Sequence, residues 1–445
     1  MYNLGKQIHN LAINLWPLNR SLTGSGVRET LKHIKKMIPN LKIYEVASGT
    51  QAFDWIVPNE WEVKEAWIKK PNGEKICDFS KNNLHLVGYS VPIHKKISKE
   101  ELDKNLYSLP NQPEAIPYIT SYYQKRWGFC ISHSERQKLE DGKYEVLIDS
   151  SLFSGSLSYG ELIIKGQLND EVFISTYICH PSMANDNLSG PCVTTFLAKW
   201  IQSLKDLKYT YRIVFIPETI GSITYLSKNL NYLKKHVFAG FNVSCVGDNR
   251  SYSYLPSRQG NTISDKVAKH ALKFIDPNYK AYRWTDRASD ERQYCAPKID
   301  LPIVSIMRTK HGEYEEYHTS LDNLELVVTP EGLEGGFNAL CRALETLEKI
   351  CYPTLTTFGE PKLDKRGLYP TLSKKNIVKD NIKNKIFYKD PELSLMMNLL
   401  TWSDGQKNLL EIAELCDVAI WKLYPILEIL LHHNIIELNN SSNKL

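Results

Sequence analysis

The chain has 445 residues, of which 42% are hydrophobic and 24% charged, and this composition excludes disorder on a large scale. This length predicts two or three domains, and a formal net charge of +5 is too small and diffuse to indicate a nucleic-acid partner. No stretch is apolar enough to cross a bilayer, no signal-type segment is present, and the nine cysteines form no Cys-x-x-Cys pair. We therefore expect a cytoplasmic protein with reduced thiols and no membrane partner.

The N-terminal region changes character near residue 42. Before that point, apolar residues recur at helical spacing on both sides of the turn-rich segment NRSLTGSG, which predicts two helices. Arg20 in this turn has two interpretations: a side chain that reaches the functional site, and a solvated side chain at a helix end, which is favoured. The next stretches, such as KIYEVAS and AFDWIVP, alternate in polarity between Pro-Asn turn signals, and a short helix with a possible cap at Ser98 follows. We therefore predict an inserted, small β-rich domain formed by residues 43–114.

Strands and helices alternate over residues 115–355. Strand-like runs such as FISTYIC and TYRIVFI are separated by helical runs such as PCVTTFLAKWIQSL. Strands that are apolar throughout and alternate with helices are typical of an α/β sheet covered on both faces. We predict an α/β domain, formed by residues 1–42 together with 115–355, in which helices sandwich a mixed, mostly parallel sheet.

The C-terminal region, residues 366–445, shows three helical patterns and a β-like tail after a polar stretch at 374–385. This order predicts a winged helix-turn-helix. Its expected recognition helix, IWKLYPILEILL, is apolar and carries one lysine, whereas a helix that reads DNA needs Arg, Lys, Asn or Gln at base edges. We therefore expect this domain to contact a protein partner or to form a homo-oligomer, and a nucleic-acid partner is not expected.

The segment after the strand FISTYIC carries the strongest chemical signal. His180 ends this strand, and a polar loop presents Asp186 just before the next helix. Ligands collect at the carboxyl ends of strands in open α/β sheets, and imidazole nitrogen with carboxylate oxygen suits zinc. The alternative is structural: His180 would close the sheet edge, and Asp186 or Ser189 would cap the helix.

Three further polar segments belong to the same part of the chain. His318 follows a buried strand and an acidic loop, and Asp322 could accept a hydrogen bond from its ring. Glu218 ends the strand YRIVFI, where a carboxylate could ligate a metal or accept a proton, or simply cap the next helix. The run Glu291-Arg292 lies in a dense polar segment that is otherwise typical of a solvated loop.

The order of these segments resembles the zinc-dependent aminopeptidase clan, and more closely a bacterial aminopeptidase-like family. In the clan, a His, an Asp within Asn-Asp-x-x-Ser-Gly and a late His bind metal, and a glutamate pair supplies a general base and a ligand. The resemblance implies a zinc exopeptidase-like fold with an inserted β domain and a C-terminal winged helix. It rests on eight stretches between about residues 20 and 325: SGTQAFDWIVPNEW, NLHLVGYSVP, IPYITSYY, RWGFC, YICHPSMANDNLSG, PETIGS, SDERQY and YHTSLDN.

The resemblance implies that His180, Asp186 and His318 are the metal ligands. The clan's glutamate pair is Pro217-Glu218 here, and the clan's later metal-binding Asp falls near Ser244. These departures favour one Zn2+ ion, without excluding two, and leave a fourth coordination position for water. The catalytic residues are then expected to be Glu218 as general base, with Glu291 as its rival, and Arg292 as a clamp for a substrate carboxylate.

Two functions remain open from the sequence. The first is a zinc hydrolase that cleaves a peptide or amide bond in a small peptide or amino-acyl conjugate, and family members are often linked with polysaccharide biosynthesis. The second is a non-catalytic, ligand-binding or regulatory protein in which an aminopeptidase-like core is joined to a winged-helix interaction module. The missing second glutamate and second-metal aspartate are the features that favour the second function.

Overall fold

The computed structural model describes residues 4–369 and 391–439. Two compact units divide the described chain: the first takes residues up to Asp265 together with Asn278–Cys341, and the second takes Lys266–Pro277 together with the described residues from Arg342 onward. None of the helices in these described ranges is both long and apolar enough to cross a membrane.

Twelve α-helices and eighteen strands form the described chain. The helices are α1 Leu4–Leu15, α2 Ser25–Met37, α3 Lys99–Asp103, α4 His133–Arg136, α5 Ser189–Ser203, α6 Ile220–His236, α7 Ile263–Ile275, α8 Glu291–Tyr294, α9 Pro330–Lys349, α10 Pro391–Trp402, α11 Leu409–Leu415 and α12 Tyr424–His432. The strands are β1 Lys42–Ala47, β2 Gln51–Ala52, β3 Trp55–Ile56, β4 Glu60–Lys69, β5 Lys75–Ile76, β6 Ile93–Ser98, β7 Leu106–Tyr107, β8 Phe129–Cys130, β9 Lys143–Phe153, β10 Ser156–Ile164, β11 Glu171–Tyr177, β12 Thr210–Ile216, β13 Val237–Asn242, β14 Ser253–Leu255, β15 Lys280–Ala281, β16 Ile303–Met307, β17 Tyr352–Leu355 and β18 Ile436–Asn439.

The first unit is built on an eight-stranded sheet with the strand order β1-β10-β12-β11-β13-β16-β14-β15. Strand β11 is parallel to both β12 and β13, β13 is parallel to β16, and β14 is parallel to β15; the remaining neighbours are antiparallel. Every residue of β11 and β12 is buried, as expected for central strands covered on both faces. The predicted mixed, mostly parallel sheet with flanking helices is confirmed.

A separate four-stranded sheet has the order β5-β4-β9-β6. Its strands differ from the predicted insert of residues 43–114, because β9 at Lys143–Phe153 pairs with both β4 and β6 and is therefore central to the small sheet. Strand β1, which the prediction placed in the insert, instead pairs with β10 in the large sheet. The predicted cap is present: Glu101 N donates to Ser98 Oγ at 3.2 Å at the start of α3.

The second unit contains α10, α11, α12 and the antiparallel pair β17 and β18. This pairing joins Tyr352–Leu355 to the C-terminal strand, so the unit begins before residue 366, where the prediction started it. The predicted helix over 420–431 is instead a 3-10 turn at Ile420–Lys422 followed by α12, because Pro425 lies in the first turn of that helix. The polar stretch at 374–385 lies outside the described residues.

Candidate metal centre

His180 lies three residues beyond β11, and its backbone is held at both ends. Its N–H donates to Asn187 Oδ1 at 3.3 Å, and its carbonyl accepts from Arg20 Nε at 3.0 Å. Arg20 also donates to Leu15 O, and it is 1% exposed. The expectation of a solvated Arg20 is therefore wrong, because its guanidinium satisfies two buried carbonyls from separate segments.

Asp186 lies in a short π-helical turn, Ala184–Leu188, just before α5. Its Oδ2 lies 2.9 Å from His318 Nε2, and its Oδ1 accepts a short hydrogen bond from the hydroxyl of Tyr177. Helix α5 begins without a side-chain cap. The carboxylate is therefore directed to His318 and Tyr177, and the structural alternative of a helix cap does not describe it.

The ligand atoms of His180, Asp186 and His318 lie within 4.8 Å of one another. The two imidazole rings have their centroids 5.7 Å apart, and His318 is the more open of the two, with 38% of its side chain exposed. His318, which is distant in sequence from His180 and Asp186, is thus brought beside them near the carboxyl end of β11.

The protonation states of the buried ligands suit a cation. Burial lowers the pKa of His180 to about 4, so its imidazole is neutral near neutral pH. Burial raises the pKa of Asp186, but the hydrogen bond from His318 and the charges of both histidines lower it further, and the net pKa lies below its usual value. Neutral imidazole and ionised carboxylate are the forms that bind metals, so the donor set fits a divalent ion such as zinc.

Asp322 has a different role from the predicted one. Its carboxylate accepts from the backbone N–H groups of Asn185 and Asp186 at 2.7 and 2.9 Å, and from Tyr314 Oη at 2.9 Å. Burial, more than the charge of Asp186, raises the pKa of Asp322 to about 7. The side chain expected to orient His318 therefore holds the loop that carries Asp186.

Glu218 follows β12, and its carboxylate lies beside His180 of the candidate metal centre. Its Oε2 lies 3.7 Å from His180 Nε2, and 22% of its side chain is exposed. Burial raises the pKa of Glu218 well above its usual value, and the charges of Asp290 and Asp186 add to this effect.

Glu291 and Arg292 have structural partners next to Glu218. The Glu291 carboxylate is fully buried, and it accepts from the backbone N–H groups of Ala288 and Ser289 and from Asn242 Nδ2, all within 3.0 Å. Arg292 Nη2 donates to Thr219 Oγ1 at 2.7 Å. Since Thr219 directly follows Glu218, both predicted residues lie in the surroundings of the centre.

Two aromatic residues of the centre were not predicted as functional. The ring of Tyr118 lies 5.2 Å from the His180 ring and 5.3 Å from the His318 ring, and its hydroxyl contacts Tyr122 at 3.0 Å. Tyr177 has the position of a buried strand residue, but its hydroxyl contacts Asp186 and its ring lies 5.2 Å from the His180 ring. The signals in the sequence were two stretches of the family resemblance: IPYITSYY contains Tyr118, and YICHPSMANDNLSG begins with Tyr177.

Sequence and structure comparisons show the family and the fold of this chain. The family described as a domain of unknown function (DUF4910) matches residues 9–350, and a winged helix-turn-helix family matches residues 351–438. A protein of Clostridium acetobutylicum is 42% identical over 410 residues, which are 92% of this chain and 91% of the relative. Its name describes a polysaccharide biosynthesis protein with an aminopeptidase-like domain.

Two solved structures extend the comparison. A crystal structure from Clostridium acetobutylicum that is named as a peptidase has 39% identity and a TM-score of 0.89, and the match covers 98% of this chain and 96% of that one. A zinc aminopeptidase from Bacillus subtilis has a TM-score of 0.58 over 78% of this chain and 94% of its own, and at 14% identity it shows the fold alone. The chain therefore belongs to the DUF4910 family, and it combines an aminopeptidase-like fold with a winged helix-turn-helix.

Proposed function

We propose that this protein is a zinc-dependent hydrolase that cleaves a peptide or amide bond. The observation that carries this proposal is the convergence of His180, Asp186 and His318 within 4.8 Å, with the Glu218 carboxylate 3.7 Å from His180. Two imidazoles and one carboxylate leave an open coordination position, as catalytic zinc sites do. Zinc, when bound, supplies Lewis acidity toward a carbonyl oxygen and toward water.

The general base and the contact with a substrate carboxylate are supplied by side chains of this protein. Glu218 acts as the general base, because its carboxylate lies beside His180 and its raised pKa makes it a stronger proton acceptor than an ordinary glutamate. Glu291 is the weaker candidate, since three hydrogen bonds already occupy its carboxylate. Arg292, next to Thr219, is in a position to hold a substrate carboxylate, which would favour a carboxypeptidase-like substrate.

One zinc ion is the proposed stoichiometry. Tyr177 donates to Asp186 Oδ1, and this hydrogen bond occupies the oxygen that does not face His318. Burial keeps the pKa of Tyr177 well above its usual value, so the hydroxyl stays protonated and remains a donor. This arrangement supports an Asp186 carboxylate that binds a single metal ion instead of bridging two.

The proposed substrate is a small peptide or an amino-acyl conjugate in the cytoplasm. The name of the Clostridium acetobutylicum relative places that protein in polysaccharide biosynthesis, which supports a conjugate with a carbohydrate part. The winged helix is proposed as a module for a protein partner or for self-association.

A non-catalytic ligand-binding protein is the second candidate. It is favoured by Pro217, which takes the place of one glutamate of the clan's pair, and by Ser244, near which the clan's later metal-binding Asp falls. A site of this kind would bind zinc and a ligand without turnover.

Metal analysis and a substrate panel test both candidates. We expect about one zinc per chain by elemental mass spectrometry, and its loss in His180→Ala and His318→Ala, with circular dichroism as the folding control. Aminopeptidase, carboxypeptidase and deacylase substrates are then tested with and without a chelator. Chelator-sensitive turnover that Glu218→Gln abolishes supports the hydrolase, while full turnover in Glu218→Gln refutes the base assignment. Zinc binding without turnover on every substrate class supports the second candidate.

A further inference from the structure

Cys179 lies directly before His180 and is 1% exposed. Its sulfur has two contacts, and both reach the candidate metal centre. Cys179 Sγ lies 3.4 Å from His180 Nδ1, and it accepts from the backbone N–H of Glu218 at 3.2 Å. A buried cysteine ordinarily behaves as a small apolar side chain with a weakly hydrogen-bonding sulfur. Contacts with both a proposed ligand and the proposed general base therefore distinguish this residue.

The sulfur of Cys179 lies outside the proposed ligand set. Within the described ranges, the group of side chains whose ligand atoms lie within 4.8 Å of one another consists of His180, Asp186 and His318. The two ring nitrogens of His180 have separate neighbours: Nε2 lies 3.7 Å from Glu218 Oε2, and Nδ1 faces the sulfur. The nitrogen that a metal can reach is therefore Nε2, and Cys179 contacts the other nitrogen of the same ring.

A metal on Nε2 determines where the His180 ring carries its proton. A neutral imidazole has one N–H, and the nitrogen that binds a metal must be bare. If Nε2 is bare, Nδ1 carries the proton and donates it to Cys179 Sγ. Metal-bound histidines almost always donate their second ring N–H to a neighbouring acceptor in this way. The opposite tautomer would put the proton on Nε2 and prevent metal binding there.

Two aromatic rings also contact the His180 imidazole. The ring centroids of Tyr118 and Tyr177 each lie 5.2 Å from that of His180. Such ring contacts limit the tilt of the imidazole, but they do not distinguish its nitrogens from its carbons. A half-turn of the ring would exchange Nδ1 with Cδ2 and Nε2 with Cε1, and the hydrogen bond to Cys179 would be lost. The sulfur is therefore the group that selects the orientation with Nε2 at the metal position.

The end of the next strand holds the sulfur in place. Ile178 N donates to Ile216 O at 2.9 Å, which keeps the end of β11 beside the end of β12, and Glu218 N donates to the sulfur. Thr219, which follows, has a left-handed backbone with φ of 61°, and this is rare for a β-branched residue. Its N–H donates to Asp290 Oδ1 at 2.8 Å. Two consecutive N–H groups thus fix this turn, and one of them fixes the acceptor that faces His180.

We propose that Cys179 is a positioning residue, whose sulfur accepts the Nδ1 proton of His180 and thereby turns Nε2 toward the metal. A sulfur then stands where metal-bound histidines ordinarily have a carboxylate, a carbonyl or water. This inference rests on the proposed zinc centre for its purpose, but the hydrogen bond itself can be tested in the metal-free protein and without turnover.

The first test locates the proton on the His180 ring. The full, metal-free chain is labelled with ring-¹⁵N histidine at pH 7.5, and long-range ¹H–¹⁵N NMR distinguishes the two neutral tautomers. The signals of His180 are identified by their absence in His180→Ala. We expect the proton on Nδ1 in the wild type, and a larger share on Nε2 in Cys179→Val, which removes the acceptor. A wild-type proton on Nε2 overturns the proposal.

The second test measures zinc affinity by competition with a fluorescent chelator. We expect Cys179→Val to bind zinc roughly 10- to 100-fold more weakly than the wild type, because the ring loses the acceptor that orients it. Cys179→Ser keeps an acceptor and should retain more affinity than Cys179→Val. Cys295→Val is the matched control and should bind zinc as the wild type does. Cys295 is equally buried, but its sulfur contacts the carbonyl oxygens of Leu301 and Ile303, at 3.1 and 3.3 Å.

Unchanged zinc affinity in a folded Cys179→Val, or an equal loss in the valine and serine variants, overturns the positioning role. If circular dichroism shows that Cys179→Val does not fold, Cys179→Ala takes its place, and the proton position in the wild type decides independently of any variant. Zinc binding without turnover refutes the hydrolase and leaves this role of Cys179 standing. A wild type that binds no zinc contradicts the proposed function, whereas wild-type zinc binding that survives Cys179→Val contradicts this inference alone.

Discussion

Asp186 is the side chain on which the contacts of the centre converge. Its two oxygens face His318 and Tyr177, and its backbone N–H is held by Asp322. A metal ligand that is fixed before the ion arrives loses little conformational freedom on binding, so the neighbours of Asp186 should control metal affinity.

Asp322→Asn tests whether the neighbours of Asp186 control metal affinity. The amide replaces one acceptor oxygen by an NH2 group, which faces a backbone N–H of the Asn185-Asp186 turn and repels it. We expect zinc affinity to fall by roughly 10- to 100-fold, as measured by competition with a fluorescent chelator. Asp141→Asn, whose side chain is fully exposed, should keep the wild-type affinity. Equal affinity in the two variants would show that the loop does not need Asp322.

At the scale of elements, a buried ion pair crosses the centre of the large sheet. Arg212 on β12 donates to Glu171 on β11 through Nε at 2.6 Å and Nη2 at 3.0 Å, and to Glu161 on β10 at 2.6 Å. Glu171 is fully buried. One side chain thus joins three neighbouring strands in their observed register.

Arg212→Met should destabilise the sheet strongly, because it leaves Glu171 buried without a counter-charge. We expect a loss of about 3–5 kcal/mol in the free energy of unfolding, measured by urea titration. The double variant Arg212→Met with Glu171→Met removes the uncompensated charge and should recover much of the loss. A double variant as unstable as the single one would contradict this explanation.

The second unit contains a pH-sensitive contact between helices. His270 on α7 bonds Glu414 through Nδ1, and its Nε2 accepts from Ile420 N at 2.9 Å, which requires a neutral ring. Burial lowers the pKa of His270 below its usual value of about 6.5, while Glu414 raises it in part. The unfolded chain therefore binds more protons below about pH 6.5, and stability is lost as pH falls through that value.

His270→Gln should remove this pH dependence. We expect wild-type protein to lose more free energy of unfolding between pH 7.5 and 5.5 than the variant does, by urea titrations followed through tryptophan fluorescence. Trp421, whose ring lies 6.1 Å from that of His270, belongs to the same unit. The expectation fails if the free energy of unfolding changes with pH as steeply in the variant as in the wild type.

At the scale of the whole molecule, zinc should act as a stabilising ligand of the folded chain. A site that is assembled from His180, Asp186 and His318 does not exist in the unfolded state, so binding adds to stability by mass action. At a free zinc concentration about 1,000 times Kd, the gain is about 4 kcal/mol. Calorimetry with zinc and with a chelator should show this shift in wild-type protein, and His318→Ala should show none. A shift retained in His318→Ala would place the metal elsewhere.

Local patterns made much of this molecule predictable. The unbroken apolar runs of β11 and β12 indicated central strands, and the positions of His180 and Glu218 at strand ends indicated the centre. Membership of β9 in the small sheet was not predictable, because its partners β4 and β6 are distant in sequence. Arg20 and Asp322 were misjudged for the same reason, since their partners are backbone groups that only the folded loops bring near.

One backbone contact of the centre bears on how the protein is made. Tyr118 N donates to His318 O at 2.9 Å, and His318 adopts a left-handed conformation with φ of 56°. The backbone of His318, the third proposed ligand, is therefore held by a segment that lies far earlier in the chain. Metal capture should therefore follow the pairing of these two segments during folding, because the proposed site is not assembled before it.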